Sequence, residues 1–289
     1  MSQVSGQPNV LLLTYDSCRY DVLKEADTPV LDSFVELLPA QAPANFTYPS
    51  HQAMFSGVLP NCDQARPYYN RFCGQLLALM EVGETQVVKG ALIGVQSSSN
   101  LVTGLGDRGY QTVGAGAMTW FRQSSLTGCF DSFLFTGTAA DDQIGYLLET
   151  LRPDQPFFGF INFGETHAPF DYAGKAEPCP VDVRARRMEW PPARDSGPVG
   201  RDSPAFAHQM AAAEYLDTRL PRLFAGLPAD TIVIVCGDHG ECFGEDGYWG
   251  HGVNHAKVLE VPLGIFRLDG RPLGPNGDAG SEAVGEASS

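Results

Sequence analysis

Residues Asn9 to Tyr15 read NVLLLTY, an unbroken apolar run that ends on the polar residues from Asp16 onward. A run with no hydrophilic face suits a strand buried on both sides, as in a parallel sheet covered by helices. Asp16 then stands at the carboxyl end of that strand, the edge where loops converge and ligands bind in open α/β sheets. Gly90 to Val95, Phe157 to Ile161 and Thr231 to Val235 read as further buried strands, with Ile144, Leu147, Leu148 and Leu151 marking a helix between two of them. Thr28-Pro29 reads as an N-cap followed by proline at the first helical position. Val30, Leu31, Phe34, Val35 and Leu38 would follow on one face of a crossover helix. Ala211 to Phe224 reads as another helix, kinked or interrupted at Pro221, which lacks a backbone donor. Strands alternating with helices predict an α/β fold, three αβα layers around a mostly parallel, doubly wound sheet.

The chain of 289 residues is long enough to bury a full core, and one domain over 1–268 is expected. Residues 174–204 are rich in proline, arginine and glycine and lack periodicity, which marks an insertion, a lid or substrate loop on one reading and plain disordered surface on another. From Gly270 onward glycine, serine, alanine and acid dominate, with too little apolar surface to offset ordering entropy, so 269–289 reads as a disordered tail.

Charge narrows the function classes. The formal net charge is −15, from 34 acidic and 19 basic side chains, a surplus that repels phosphate backbones and anionic lipid. Nucleic acid and membrane partners are therefore not expected. An acidic protein can still bind an anionic ester where a divalent cation supplies the positive charge, which directs attention to metal ligands. The seven cysteines (Cys18, Cys62, Cys73, Cys129, Cys179, Cys236 and Cys242) show no CxxC pair and read as mostly free thiols. The amino terminus has no signal-peptide pattern and no run is long enough to span a bilayer, so the cytoplasm is the expected compartment.

The strongest local signal is Gly237-Asp238-His239-Gly240-Glu241, directly after the strand Thr231 to Val235. A carboxylate beside an imidazole at a strand end suits Zn²⁺, Mn²⁺ or a similar divalent ion. The segment Asn45-Phe46-Thr47-Tyr48-Pro49-Ser50-His51 forms a compact turn. Pro49 and Ser50 fit the opening turn of a helix, which puts Thr47 near free backbone donors and the positive end of the helix dipole. Taken singly, Asp238-His239 is a loop pair and Thr47 a capping threonine. Asp16 ending one buried strand and Asp238 ending another change that weighting. The spelling Gly104-Leu105-Gly106-Asp107-Arg108-Gly109 matches a dinucleotide fingerprint, but it opens no amphipathic helix and is set aside.

These stretches together resemble the alkaline phosphatase and sulfatase superfamily from about Asn9 to Phe266. NVLLLTYDSCRYD resembles its opening strand and metal-binding aspartate, and TPVLDSF the helix that follows. TYPSHQAMFSG is similar to its nucleophile turn and ETHAPF to its histidine-bearing segment. The stretch from LDTRLPRLF through GDHGECFGEDGYWGHG to VPLGIF resembles the helix, strand, metal pair, GHG turn and next strand in that order. The resemblance implies that Asp16, Asp238 and His239 bind one divalent ion, zinc or manganese before magnesium or calcium. It implies further that Thr47 is both ligand and nucleophile, and that His167 and His251 contact the transferring group. Asn45 and Glu241 would stand behind these residues, while His255 and Lys257 lie near the GHG turn without an expected role.

Where formylglycine sulfatases carry cysteine or serine, followed four residues later by arginine, this chain has Thr47 and His51. Threonine cannot become the formylglycine aldehyde, so the resemblance leans to threonine-using phosphodiesterases, phosphonate hydrolases and phosphotransferases. The family's opening pair of acids is reduced to Asp16 followed by Ser17, and the aspartate, three residues, histidine segment of two-zinc relatives is absent, which favours one metal. The chain stops soon after VPLGIF, so the carboxyl-terminal subdomain of long sulfatases is expected to be missing. Substrate walls would then come from the insertion, where Arg184, Arg186 and Arg187 offer guanidinium forks for phosphate or carboxylate, or form a solvated basic run. The expected activity is hydrolysis or transfer at a phosphorus ester of a small anionic molecule. The alternatives are sulfate ester hydrolysis by threonine directly, phosphomonoester isomerisation, and a catalytically silent metal- or partner-binding protein.

Overall fold

The computed structural model describes residues 7–57, 77–82, 90–95, 100–175, 177–187, 197–271 and 273. Its central sheet has seven strands in the order β2-β11-β8-β1-β7-β5-β6. The strands are β1 (Val10–Tyr15), β2 (Leu38–Gln41), β5 (Gln111–Gly116), β6 (Ser132–Phe135), β7 (Phe157–Phe163), β8 (Ile232–Gly237) and β11 (Glu260–Arg267). β8, β1, β7, β5 and β6 run parallel, while β11 lies antiparallel to both β8 and β2. Two small antiparallel pairs stand outside this sheet, β3 (Leu77–Val82) with β4 (Gly90–Val95) and β9 (Cys242–Phe243) with β10 (Trp249–Gly250).

Side chains alternate across a strand, so the apolar run of β1 faces both ways. Leu11 and Leu13 join Val233, Val235, Phe157 and Ile161 on one face. Helices Ala140–Thr150, Pro204–Asp217 and Leu220–Ala225 cover it through Ile144, Leu147, Leu216 and Leu223. Leu12, Phe158 and Phe160 point the other way, onto Tyr48 and Phe55 of helix Thr47–Ser56 and onto Phe121 and Phe130. This is the predicted three-layer, mostly parallel α/β architecture.

Several local expectations are corrected. Gly90–Val95 is a strand, but it pairs with β3 rather than joining the central sheet, since an apolar run does not say which neighbour it will find. The helix after Thr28 extends only over Pro29–Asp32. Its free amides at Val30 and Leu31 are taken by the Asp217 carboxylate, a tertiary cap, and Leu38 lies in β2 with 61% of its surface exposed. A separate helix, Tyr20–Glu25, precedes it. The Ala211 to Phe224 helix is two helices with the break at Thr218-Arg219, and Pro221 falls in the first turn of the second, where its missing donor costs nothing. The insertion carries a short helix, Val183–Arg187, and residues 176 and 188–196 lie outside the described part. So do Cys62, Cys73 and nearly all of the 269–289 tail, while Cys18, Cys129, Cys179, Cys236 and Cys242 are free. The GxGxxG spelling spans the end of helix Leu101–Gly106 and the turn before β5, with no strand-to-helix phosphate loop. Among the described residues no helix is long and apolar enough to cross a membrane.

Register is what builds the site. Tyr15 pairs with Phe163 on one side and with Gly237 on the other, so β1, β7 and β8 end at one level. Asp16, the Gly164–His167 turn and Asp238 therefore leave the sheet side by side. A Cβ at Gly237 would come within 2.6 Å of the Cys18 carbonyl oxygen, so glycine there lets the β1 and β8 turns close on each other.

Candidate active site

Four side chains from three chain segments converge above those strand ends, all buried: Asp16, Asp238, His239 and Thr47. Thr47 opens helix Thr47–Ser56 behind Phe46, whose extended backbone forms the N-cap. Thr47 Oγ1 donates to Asp16 Oδ2 at 3.3 Å and lies 3.3 Å from His239 Nε2. His239 donates through Nδ1 to the Gly240 carbonyl at 2.9 Å, which leaves Nε2 unprotonated and turned inward. That nitrogen is 3.6 Å from Asp238 Oδ2 and 4.0 Å from Asp16 Oδ1. Asp238 Oδ1 accepts from the amides of Ser17 (3.0 Å) and His239 (2.9 Å). Its Oδ2 is buried without a hydrogen-bond donor among the described residues.

A buried carboxylate oxygen without a donor is costly unless a cation takes it. One ligand atom each from Asp16, Asp238 and His239 falls within 4.8 Å of the others, which fits a single divalent ion, with the Thr47 hydroxyl beside the same point. The electrostatics agree. Burial, then the charge of Asp16, holds Asp238 well above the ordinary carboxylate range. Burial, then His251, holds His239 well below an ordinary imidazole.

Two further histidines adjoin this centre. The His239 and His251 ring centres are 4.5 Å apart, and those of His251 and His167 5.2 Å. Glu241, itself buried, accepts from His251 Nδ1 at 3.0 Å and so aims Nε2 away from itself. His167 donates through Nδ1 to the Ala168 carbonyl at 2.7 Å, and burial lowers its pKa.

Residues beyond the sequence reading fasten this centre. His51, fully buried, donates through Nδ1 to the Thr47 carbonyl at 2.8 Å, and its Nε2 faces Thr14 Oγ1 at 3.1 Å. Burial drives its pKa down to about 4, so the ring is neutral and a single tautomer serves both contacts. Asn162, inside β7, donates from Nδ2 to Thr14 Oγ1 and to Asp16 Oδ2, joining this chain to the aspartate. Gln209 Nε2 donates to the carbonyls of Ser17 and Thr166, while Thr166 Oγ1 donates to the Asp16 carbonyl, tying the β1 and β7 turns. Ser17 adopts the left-handed region at φ 60°, which aims its amide at Asp238, and its hydroxyl bonds Asp16 Oδ1. A hydroxyl thus occupies the place of the family's second acid.

The remaining predicted residues separate. Asn45 lies on the rim, its Nδ2 donating to Asn254 Oδ1 and its carbonyl accepting from Gly252, so it joins the Thr47 turn to the GHG turn. Arg184 reaches His167, with Nη2 3.3 Å from Nδ1, whereas Arg186 stacks over Trp249 at 4.6 Å. Arg187 packs along Gly250 and Gly252. Lys257 pairs with Asp21, which also binds the buried Arg19, and His255 pairs with Asp246 and caps helix Ala256–Leu259.

A mostly parallel sheet whose β1, Thr47 turn and β8 bring two carboxylates, a histidine and a threonine to one point defines the alkaline phosphatase-like class, whose members are hydrolases or transferases. The chain belongs to the sulfatase family, whose profile, described as Sulfatase, matches residues 8–263. No curated protein sequence matches it significantly. Among solved structures it is similar to the putative sulfatase yidJ from Bacteroides fragilis (TM-score 0.59, 15% identity, 93% of this chain and 70% of that one). It is also similar to the C-terminal periplasmic domain of phosphoethanolamine transferase EptC from Campylobacter jejuni (0.56, 12%, 91% and 80%) and to that of EcEptC from Escherichia coli in complex with Zn (0.55, 12%, 91% and 73%). At these identities the likeness is one of fold.

Proposed function

We propose that the chain is a metal-dependent hydrolase or transferase of phosphorus esters with Thr47 as its nucleophile. The observation that carries this is the placement of Thr47 Oγ1 at the start of a helix, 3.3 Å from both Asp16 Oδ2 and His239 Nε2. Asp16, Asp238, His239 and Thr47 would hold the cation, zinc or manganese by donor type, and the E. coli relative binds zinc. The bound ion supplies Lewis acidity that lowers the pKa of the threonine hydroxyl and offsets charge on phosphoryl oxygens. The Thr47 hydroxyl gives its proton to a carboxylate already at hydrogen-bond distance. Its oxygen then forms the bond to phosphorus as the bond to the leaving oxygen breaks. As the anion arrives, His167, protonated at Nε2 as well as Nδ1, holds an equatorial oxygen, and His251, oriented by Glu241, protonates the leaving oxygen through Nε2. Water or an acceptor alcohol resolves the threonine ester.

The test is turnover of matched aryl esters (phosphate monoester, phosphate diester, phosphonate monoester and sulfate) with added Zn²⁺ or Mn²⁺ and with chelator. Metal-dependent release from one or more phosphorus esters is expected. Release from sulfate alone would replace phosphorus with sulfur as the substrate centre.

His51 gives a second expectation. It touches no open space, so its contribution is positional, through the Thr47 carbonyl. His51→Phe keeps the ring volume and its contacts with Phe121 and Phe160 but loses both hydrogen bonds. Because small misplacements of a nucleophile cost up to about a hundredfold, kcat is expected to fall roughly 10–100-fold with KM changed less than about threefold. Steady-state kinetics on the best ester of the panel measures the split.

A further inference from the structure

In a chain with 34 acidic and 19 basic side chains, an arginine near a cleft would ordinarily find a carboxylate. Arg19, Arg201, Arg219 and Arg222 do so, while Arg108, Arg122 and Arg152 lie instead on the Gly104 carbonyl, the Phe135 ring and the Gln155 amide. Among the described residues Arg184 and Arg187 have no ion pair, and both are exposed at the mouth of the site. Three apart on helix Val183–Arg187, they share a face. That helix is seated by Val183, buried among Phe170, Phe206 and Trp249, and by the stacking of Arg186 on Trp249, so its position does not depend on Arg184 or Arg187. Arg184 Nη2 abuts His167. The Arg187 side chain crosses the turn that carries His251, because a Cβ at Gly250 would lie 2.9 Å from its Cδ and one at Gly252 2.8 Å from its Nη2.

Contacts link Thr47 to His239, His239 to His251, His251 to His167 and His167 to Arg184, and both arginines are more exposed than these histidines. A phosphoryl group bonded to Thr47 would meet the histidines, with the guanidinium groups beyond them. Two guanidinium groups without an ion pair among the described residues thus stand beyond the histidines, a geometry suited to a bidentate oxyanion.

We propose that Arg184 and Arg187 form a receptor for a second anionic group of the substrate, a carboxylate or phosphate separate from the phosphoryl group that is transferred. The proposal rests on the phosphoryl-transfer reading of Thr47 and narrows its substrates to esters bearing two anionic groups. Arg186 takes no part in it.

Calorimetric binding to the metal-loaded protein tests it without requiring turnover. Propylphosphonate carries one anionic group; phosphonopropionate adds a carboxylate and propylene diphosphonate a phosphonate at similar length. At least one of the latter two is expected to bind about tenfold or more tightly than propylphosphonate, the better of them naming the second group. In the Arg184→Ala/Arg187→Ala double variant that ratio should fall to within about twofold, and the double lysine variant should restore part of it. Equal binding of all three ligands by the unaltered protein overturns the proposal whatever the variants do, as does a preference that survives the double alanine change. If no phosphorus ester of the aryl panel turns over while the binding ratio behaves as described, the phosphoryl-transfer reading fails and the anion receptor stands.

Discussion

Replacing Thr47 with alanine is expected to lower kcat on the preferred phosphorus ester by about a thousandfold or more, the scale on which loss of a covalent nucleophile is felt. The change should leave the fold in place. Thr47 Oγ1 contacts Asp16 and His239 and no other polar group among the described residues, and alanine is a better helix former than threonine. Thermal unfolding within a few degrees of the unaltered protein, together with the lost turnover, would separate a chemical role from a structural one. Thr47→Ser, which keeps the oxygen and removes the methyl group, should recover a large part of the rate. A threonine ester should also be trapped on the unaltered protein when a slow substrate is quenched, as a mass increment on the peptide holding Thr47, and be absent from the alanine variant. Retention of full turnover by Thr47→Ala would remove the residue from the mechanism and pass the attack to water.

The parts of this site that were legible in the sequence are those whose local pattern and chemistry coincide. Asp16 ends the uniformly apolar NVLLLTY, and Asp238-His239 ends IVIVCG, so strand ends and ligands could be read together. The resemblance to a known superfamily then supplied Thr47, His167 and His251. What escaped reading depends on tertiary register. Asn162 sits inside FFGFINF, a run that looks like plain strand interior, and only the pairing of β7 with β1 puts its amide on Asp16. Gln209 lies midway along a fourteen-residue helix and gives no local sign that it will bridge two loops. His51 stands in the sequence as a departure from arginine, yet its contact with Thr14 exists only because helix Thr47–Ser56 packs on that face of β1. Helical spacing places Leu38 on a crossover helix, whereas strand pairing with β11 overrides propensity at the sheet edge. Within the insertion, Val183–Arg187 is helical because Val183 finds an aromatic pocket formed by distant segments, which no periodicity in five residues could announce.

The second large expectation concerns metal and pH together. In metal-free protein, burial and the charge of Asp16 raise Asp238 well above its ordinary 3.8. A raised acid stabilises the fold only while protonated. That contribution is complete below about pH 3.8 and is lost as pH climbs through the raised value. His239, held well below 6.5 by burial and His251, acts in the opposite sense, its contribution present above 6.5 and lost as pH falls. A cation held by Asp16, Asp238 and His239 needs the carboxylate ionised and the imidazole unprotonated, so its affinity should rise with pH across both ranges. The rise in Tm on adding Zn²⁺ or Mn²⁺ should therefore be larger at about pH 8 than at about pH 5.5. A hundredfold excess over Kd contributes about 2.7 kcal/mol, or roughly 4–5 °C for a chain of this size. Asp238→Asn separates the two effects. It keeps Oδ1 for the amides of Ser17 and His239 but removes the buried charge, so without metal the variant should melt at or above the unaltered protein. With metal, the gain should vanish along with turnover. A variant that gains as much from metal as the unaltered protein would mean that the cation is held elsewhere, and Oδ2 of Asp238 would then need another partner to account for its burial.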